Sequence, residues 1–167
     1  DLAKKLGHRI LPVLPALVQI RCGENYFKSL AGVRANGSVS IWTGDRCIAR
    51  DTGELQLTNY GISGIPVFQV SRYASRLLYR KKDVYAVLDF MPDFTQEQMT
   101  AFLRARAKTR PEKTAGVFLI GLFHRKLSDL WIKLAGISRE KKAGDLTDGE
   151  IICLVRQIKS MKVTGTG

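Results

Sequence analysis

The stretch Gly53-Glu54-Leu55-Gln56-Leu57-Thr58-Asn59-Tyr60-Gly61-Ile62-Ser63-Gly64-Ile65-Pro66 marks the point where the residue pattern changes from strand to helix. Its first residues alternate apolar with polar, as on a half-buried strand. After it, apolar residues fall at positions 67, 70, 74, 77 and 78, which is helical spacing. Pro66 suits the first turn of this helix, where its missing N–H costs no hydrogen bond. We therefore expect a strand, a glycine-rich turn and a helix in succession.

The residues before this stretch predict short antiparallel strands. Residues 16–21 predict a first strand, and Asn36-Gly37 between strand-like residues is the strongest short hairpin signal. Thr43-Gly44-Asp45 and Asp51-Thr52-Gly53 predict two further turns. Strands separated by turns this close together predict an antiparallel meander that closes into a small barrel.

The second half of the chain has a helical pattern. Two helix starts carry a capping box, in which a Thr and a Gln or Glu three residues later bond each other's backbone N–H groups. These are Thr95-Gln96-Glu97-Gln98 and Thr147-Asp148-Gly149-Glu150. Between them, we expect the apolar run 115–134 to divide into two helices at Gly121 and Ser128-Asp129.

A strand at 84–90 precedes these helices, and another begins at 161. This order predicts an α+β fold, a small antiparallel β-barrel with an inserted α-helical lobe. The barrel lobe would comprise residues 8–92 plus 161–167, and the helical lobe residues 93–160.

The charge is the unusual global property. A net charge of +12 and a pI near 9.9 would suit a nucleic-acid-binding β-barrel module, which is the alternative function. The basic residues are nevertheless spread along the chain without exposed aromatic residues between them.

No apolar run approaches the roughly 18–20 residues of a membrane span, and no signal peptide is recognisable. The cysteines are odd in number and widely spaced, which predicts neither disulfides nor a metal site and favours a cytoplasmic location.

Sequence motifs for catalysis are missing. GxGxxG, GxxxxGK[ST] and HExxH do not occur, so no catalytic residue is assigned. His124 could act as a general base, but His124 and His8 both lack a partner at motif spacing, and a structural role is favoured. Cys47 on a strand and Cys153 on a helix face are expected to be small core residues.

The glycine-rich junction is the best candidate for a contact site. Gly61 and Gly64 let the backbone approach another surface closely. Ser63 could cap the following helix, whose N-terminal N–H groups would then face an anion or a carbonyl group. A tight turn with a cap is the alternative interpretation.

Two stretches resemble a known family. The stretch from Gly53 to Pro66 is similar to the pattern G-E-(apolar)-x-(apolar)-T-(H/N)-(aromatic)-G-(apolar)-S-G-P of the BaiN-like flavoproteins, also described as aminoacetone-oxidase-like FAD-binding enzymes. Ala3-Lys4-Lys5-Leu6-Gly7-His8-Arg9-Ile10, followed by Pro15-Ala16-Leu17-Val18, resembles a second passage of that family. One departure is Ile65, which changes S-G-P to S-G-I-P and would move the helix start by one residue.

The resemblance implies a role in a larger protein. In that family an FAD-binding Rossmann domain is split around a region like this one, so residues 1–7 would be the end of the helix that leaves that domain, and the terminal strand would lead back to it. FAD would be bound mainly outside this chain, which would be inactive alone; use of NAD(P) stays open. By analogy, the residues facing flavin or a small-molecule substrate would be Thr58, Asn59, Tyr60, Gly61, Ser63 and Gly64.

Overall fold

The computed structural model describes residues 2–167; Asp1, the first residue of the expected helix tail, lies outside them. Helix α1 (Leu2–Lys5) ends where Gly7 adopts a φ of 81° and the His8 N–H donates to the Ala3 carbonyl at 3.0 Å. A glycine with positive φ is a common way to end a helix, and this end agrees with the expectation that residues 1–7 are the end of a helix. Residues 8–19 then run without helix or strand to β1 (Ile20–Arg21), so the first strand is shorter than the predicted 16–21.

The barrel is an antiparallel sheet with strand order β1-β4-β3-β2-β5-β6. Its remaining strands are β2 (Arg34–Thr43), β3 (Arg46–Leu57), β4 (Gly61–Ser63), β5 (Tyr85–Asp89) and β6 (Met161–Thr164). The two edges meet, because Cys22 bridges Gly165 and the Gly23 N–H donates to the Thr164 carbonyl at 3.0 Å. The expected α+β barrel fold is confirmed.

The hairpin prediction at Asn36-Gly37 is wrong. These residues lie inside β2, and the chain reverses later, between Thr43 and Arg46 as predicted. The turn predicted at Asp51-Thr52-Gly53 is wrong as well, because these residues lie inside β3. Gly37 pairs with Gly53, and a Cβ on Gly37 would lie 2.6 Å from the Asp89 carbonyl oxygen. Gly37 is therefore explained by the close approach of β5 and not by a turn.

Helices occupy three of the connections between strands. The short helix α2 (Phe27–Leu30) follows β1, and α3 (Ile65–Tyr79) packs its Val67, Val70 and Ala74 face against β2 and β3. The helices between β5 and β6 are α4 (Gln96–Thr109), α5 (Ala115–Phe118), α6 (Arg125–Leu134) and α7 (Asp148–Lys159), with a 3-10 turn at Ala143–Asp145.

The helix boundaries follow their sequence signals except at one position. Both capping boxes form, at Thr95 with Gln98 and at Thr147 with Glu150. The apolar run 115–134 divides near Gly121, as predicted. The predicted break at Ser128-Asp129 is wrong, because both residues continue α6. The Ser128 hydroxyl donates to the His124 carbonyl one turn earlier, so this serine is accommodated within the helix.

The helical region shares one hydrophobic core with the barrel. Trp131 of α6 is fully buried and packs edge-on against Phe90, with ring centroids 5.1 Å apart. Lys159, at the end of α7, places its ammonium 2.7 Å from the Asp89 carboxylate and 2.6 Å from the Met91 carbonyl oxygen. These contacts hold the helices close to the barrel end where β5 finishes.

Candidate functional site

The candidate loop lies at one end of the barrel. β3 ends and β4 begins there, with Leu57 paired to Ile62, and the starts of β2 and β6 lie at the same end. The connections at this end are residues 22–33, 58–60 and 90–160. We call this end the barrel mouth. Connections at one end of a rigid barrel are well placed to form a site.

The loop is a tight turn held by Thr58. The Thr58 N–H and hydroxyl both donate to the Gly61 carbonyl, at 2.9 and 3.1 Å, and the hydroxyl accepts from the Tyr60 N–H at 3.4 Å. Because these bonds close the turn, Asn59 lies exposed at its tip and Tyr60 is half-buried beside it.

The glycines of the segment contact the barrel itself. A Cβ on Gly61 would overlap the Ile20 carbonyl oxygen, and one on Gly64 would overlap the Glu54 carbonyl oxygen. Gly64 also has a φ of 105°, which L side chains rarely adopt. The backbone approaches other atoms closely at Gly61 and Gly64, and the surface approached is formed by neighbouring strands of the same barrel. An approach of these glycines to flavin or substrate stays a prediction.

Ser63 does not have the predicted capping role. Its side chain is buried at 6% exposure, and the N-cap of α3 is Gly64, without a side-chain capping bond among the described residues. Pro66 lies in the first turn as expected. The strand geometry of β4 explains the difference, because it turns Ser63 into the barrel wall, paired with Gln56.

Asn59 and Tyr60 line a shallow pocket of about 260 Å³. The opposite wall comes from the 21–28 segment, which contributes Arg21, Glu24 and Lys28. The Arg21 guanidinium lies 5.8 Å from the centroid of the Tyr60 ring, within the range of a cation–π contact. Sequence reasoning missed these three charged residues, because only the pairing of β1 with β4 brings them to the loop.

Cys22, which also lines this pocket, is not an activated nucleophile. Burial, reinforced by the nearby Glu24 carboxylate, raises the pKa of the Cys22 thiol to about 12. The same two causes raise the pKa of the Tyr26 hydroxyl. Both groups therefore keep their protons at neutral pH, and the thiolate needed for nucleophilic attack does not form.

The remaining candidates lie apart from the loop. His124 is the N-cap of α6, and its Nδ1 accepts from the Lys126 N–H at 3.2 Å, so the structural role favoured for it is confirmed. His8 is exposed after α1. Cys47 and Cys153 are exposed, so their prediction as core residues is wrong; each lies on the outward face of its strand or helix.

The described residues contain neither a helix that could span a membrane nor a cluster of metal-binding side chains. Within residues 2–167, no helix is long and apolar enough to cross a membrane. Over the same residues, no group of three or more His, Cys, Asp or Glu side chains is arranged to hold a metal ion.

Comparison with known proteins places the chain in a family. A family model described as the HI0933-like protein barrel and H2TH domain matches residues 14–167. A curated relative, the 3-dehydro-bile acid delta(4,6)-reductase of Clostridium scindens, is 37% identical over 163 residues. The match covers 98% of this chain but 40% of the relative. The chain, which resembles the BaiN-like flavoproteins, therefore belongs to the HI0933-like barrel and H2TH domain family.

Proposed function

We propose that this chain is the substrate-side domain of a larger FAD-dependent oxidoreductase and is not catalytic by itself. The observation that carries the proposal is the 37% identity to a reductase along 98% of the chain, which spans 40% of that reductase. In the proposed organisation, residues 1–7 continue from a flanking Rossmann domain of the same polypeptide. Residues 8–92 plus 161–167 form the barrel lobe and residues 93–160 the helical lobe.

The proposed contact surface is the 58–64 segment at the barrel mouth. Asn59 offers an exposed amide, and Tyr60 offers a ring backed by Arg21, so these two side chains would touch flavin or substrate. Thr58, Gly61, Ser63 and Gly64 would support them by fixing the turn and the strand. The residues present fit a ligand with an aromatic ring and anionic groups, because Tyr60 offers a ring face and the two cations Arg21 and Lys28 outnumber the one carboxylate, Glu24, in the pocket.

The chemistry of the reaction would come from the cofactor. When bound, FAD supplies the electron transfer, whereas the protein supplies binding, orientation and exclusion of water. Asn59 would orient a polar group of the substrate by hydrogen bonding, and Tyr60 would cover an apolar or aromatic face.

The segment before β1 supports a flanking partner. It exposes large apolar side chains, including Leu2 at 72%, Leu11 at 69% and Val13 at 95%. A patch of apolar side chains on an extended segment is a typical interaction surface. We propose that this segment packs against the flanking Rossmann domain.

The contact surface is tested in the intact protein by Asn59→Ala and by Tyr60→Ala, which removes the ring. With a 3-dehydro-bile acid as the trial substrate, we expect kcat/KM to fall about tenfold for Asn59→Ala, the effect of losing one hydrogen bond worth about 1.4 kcal/mol. Bound FAD, measured from its absorbance, serves as the second readout. Gln69→Ala on the exposed face of α3 is the matched control. Unchanged turnover and unchanged KM in both loop variants would remove the loop from the site.

A second experiment separates this function from the alternative. The 167-residue chain, purified without flanking sequence, should be colourless and should not bind mixed-sequence nucleic acid at moderate salt. Tight binding that weakens steeply with salt concentration would instead favour a nucleic-acid-binding module, because each neutralised phosphate releases counterions.

A further inference from the structure

A second cavity lies at the barrel mouth, away from the 58–64 segment. Its volume is about 500 Å³. One wall is the start of β2, with Arg34 and Asn36, and the other is the turn before α6, with Phe123 and His124. It shares no lining residue with the pocket of Asn59 and Tyr60.

The floor of this cavity is apolar and rigid. Phe90 is 3% exposed and Leu127 is fully buried. Phe90 and Phe123 each pack edge-on against the buried Trp131, with centroid distances of 5.1 and 5.0 Å. Because both rings are held by the same indole, the floor is formed before any ligand arrives. A preformed apolar floor is typical of small-molecule sites.

His124 presents a hydrogen-bond donor at the rim. Its Nδ1 accepts from the Lys126 N–H, so Nδ1 carries no proton. In the neutral imidazole ring the proton must then be on Nε2, which is a donor. The position of His124 as the N-cap of α6 fixes the orientation of the ring.

Arg34 provides a positive charge at the opposite rim. Its guanidinium pairs with Glu54 at 3.3 Å, but both side chains are more than half exposed. Such an exposed pair contributes roughly 0–1 kcal/mol, so the guanidinium can exchange this partner for a ligand. Asn36 lies exposed next to it.

Two carboxylates lie near the cavity, and both are paired. Glu54 pairs with Arg34 at the rim, so an anionic ligand would have to displace it. Among the described residues that line it, none is Asp or Glu. The nearby Asp89 carboxylate is paired with the Lys159 ammonium at 2.7 Å. The rim therefore combines a cation, a fixed N–H donor and an amide above an apolar floor, and favours an anionic ligand.

We propose that this cavity is a binding site for an organic carboxylate carried on a flat apolar ring system. The ring body lies against the half-buried Phe123, above the layer that Phe90 and Leu127 form, and the carboxylate accepts hydrogen bonds from Arg34 and from His124 Nε2. This assignment does not depend on the role of the 58–64 segment, and a negative result for either site leaves the other untouched.

The test uses 2-naphthoate as the probe and its neutral analogue 2-naphthalenemethanol, titrated into the purified full chain by calorimetry. We expect saturable binding of the carboxylate and at least tenfold weaker binding of the alcohol. Arg34→Gln should weaken naphthoate binding about tenfold, because a hydrogen bond to a charged group is worth about 1.5 kcal/mol or more.

Two substitutions of His124 separate its two roles. Asn and Asp are both favoured N-cap residues, so His124→Asn and His124→Asp should keep α6 capped, which the melting temperature will show. We expect His124→Asn to weaken naphthoate binding about tenfold, the loss of one hydrogen bond to a charged group, and His124→Asp to abolish it by adding a negative charge. Arg72→Gln, which removes a cation from the outer face of α3, should leave binding unchanged.

The proposal is overturned by any of four results, three of them from the two probes and the arginine variants. These are no saturable binding of 2-naphthoate, equal affinity for the alcohol, or equal weakening by Arg72→Gln and Arg34→Gln. The last result would mean that the carboxylate responds only to overall charge. Unchanged affinity in folded His124→Asp would also exclude the cavity.

Discussion

The two halves of the 58–64 segment have opposite environments. Asn59 and Tyr60 in the first half project from a turn at the barrel mouth, whereas Gly61 and Ser63 in the second half are buried in the barrel wall. Side chains of the first half are accessible to a neighbouring molecule, whereas the backbone of the second half packs against other strands of the barrel. A short motif can therefore contain contact residues and the residues that position them, and only their burial separates the two.

The largest effect is expected at Gly64. Gly64→Ala should lower the free energy of unfolding by about 3 kcal/mol, because the new Cβ overlaps the Glu54 carbonyl and the backbone conformation is strained. Urea unfolding monitored by circular dichroism measures it. Gly32→Ala is the matched control, with a φ of 84° and no atom within 4 Å of the added Cβ, and should lose about 1 kcal/mol from strain alone. Equal losses in the two variants would show that close packing at Gly64 is unimportant.

A smaller effect is expected at Thr58, which joins the two halves. Thr58→Val keeps the shape of the side chain but removes the hydroxyl that contacts the Gly61 carbonyl and the Tyr60 N–H. We expect a loss of about 1 kcal/mol in the free energy of unfolding. Thr52→Val, at an exposed position of β3, should change stability much less. Equal losses in the free energy of unfolding in Thr58→Val and Thr52→Val would mean that backbone hydrogen bonds alone hold the turn.

The start of α7 provides a comparison with the start of α3, which Gly64 caps without a charged group. Hydrogen bonds from the Lys141 ammonium and the Thr147 N–H lower the pKa of Glu150 below its ordinary value of 4.5. The ionised Glu150 carboxylate therefore contributes to the free energy of unfolding above pH 4.5, and this contribution is lost as the pH falls through the lowered pKa. Glu150→Gln keeps the capping box but removes the titrating carboxylate. The melting temperature of this variant should therefore fall less between pH 4.5 and lower pH than that of the unaltered protein. An unchanged acid slope would exclude this contribution.

The smallest change in stability is expected at Asn59. Asn59→Ala should alter the free energy of unfolding by less than about 0.5 kcal/mol, since the side chain is exposed and away from the core. The measurement is urea unfolding of Asn59→Ala and Thr58→Val under the same conditions. A loss comparable to that of Thr58→Val would make Asn59 a structural residue and would blur the contrast between the halves.

Local sequence signals predicted the local elements well. The capping boxes at Thr95 and Thr147 form, Gly7 ends the first helix, and α3 begins where the periodicity changes. These features depend on residues within one or two turns of the same chain segment, so their physical cause is present in the sequence. The resemblance to the flavoprotein family depends on the same segment and was confirmed by comparison.

Long-range contacts explain the failures. Asn36-Gly37 reads as a hairpin turn, but Gly37 is required where β5 crosses close to β2. The outward positions of Cys47 and Cys153 depend on which face of each element the core covers. Arg21, Glu24 and Lys28 reach the loop only because β1 pairs with β4 and the sheet closes on β6.

The sequence by itself therefore determined the change from strands to helices, the two capping boxes and the family, because short-range sterics and hydrogen bonding encode them. Tertiary structure alone decided which residues of the 58–64 segment are accessible. It also decided that Arg34 and His124, 90 positions apart in the printed sequence, line one cavity. Burial and proximity are properties of the closed barrel with its packed helices, and no local pattern contains them.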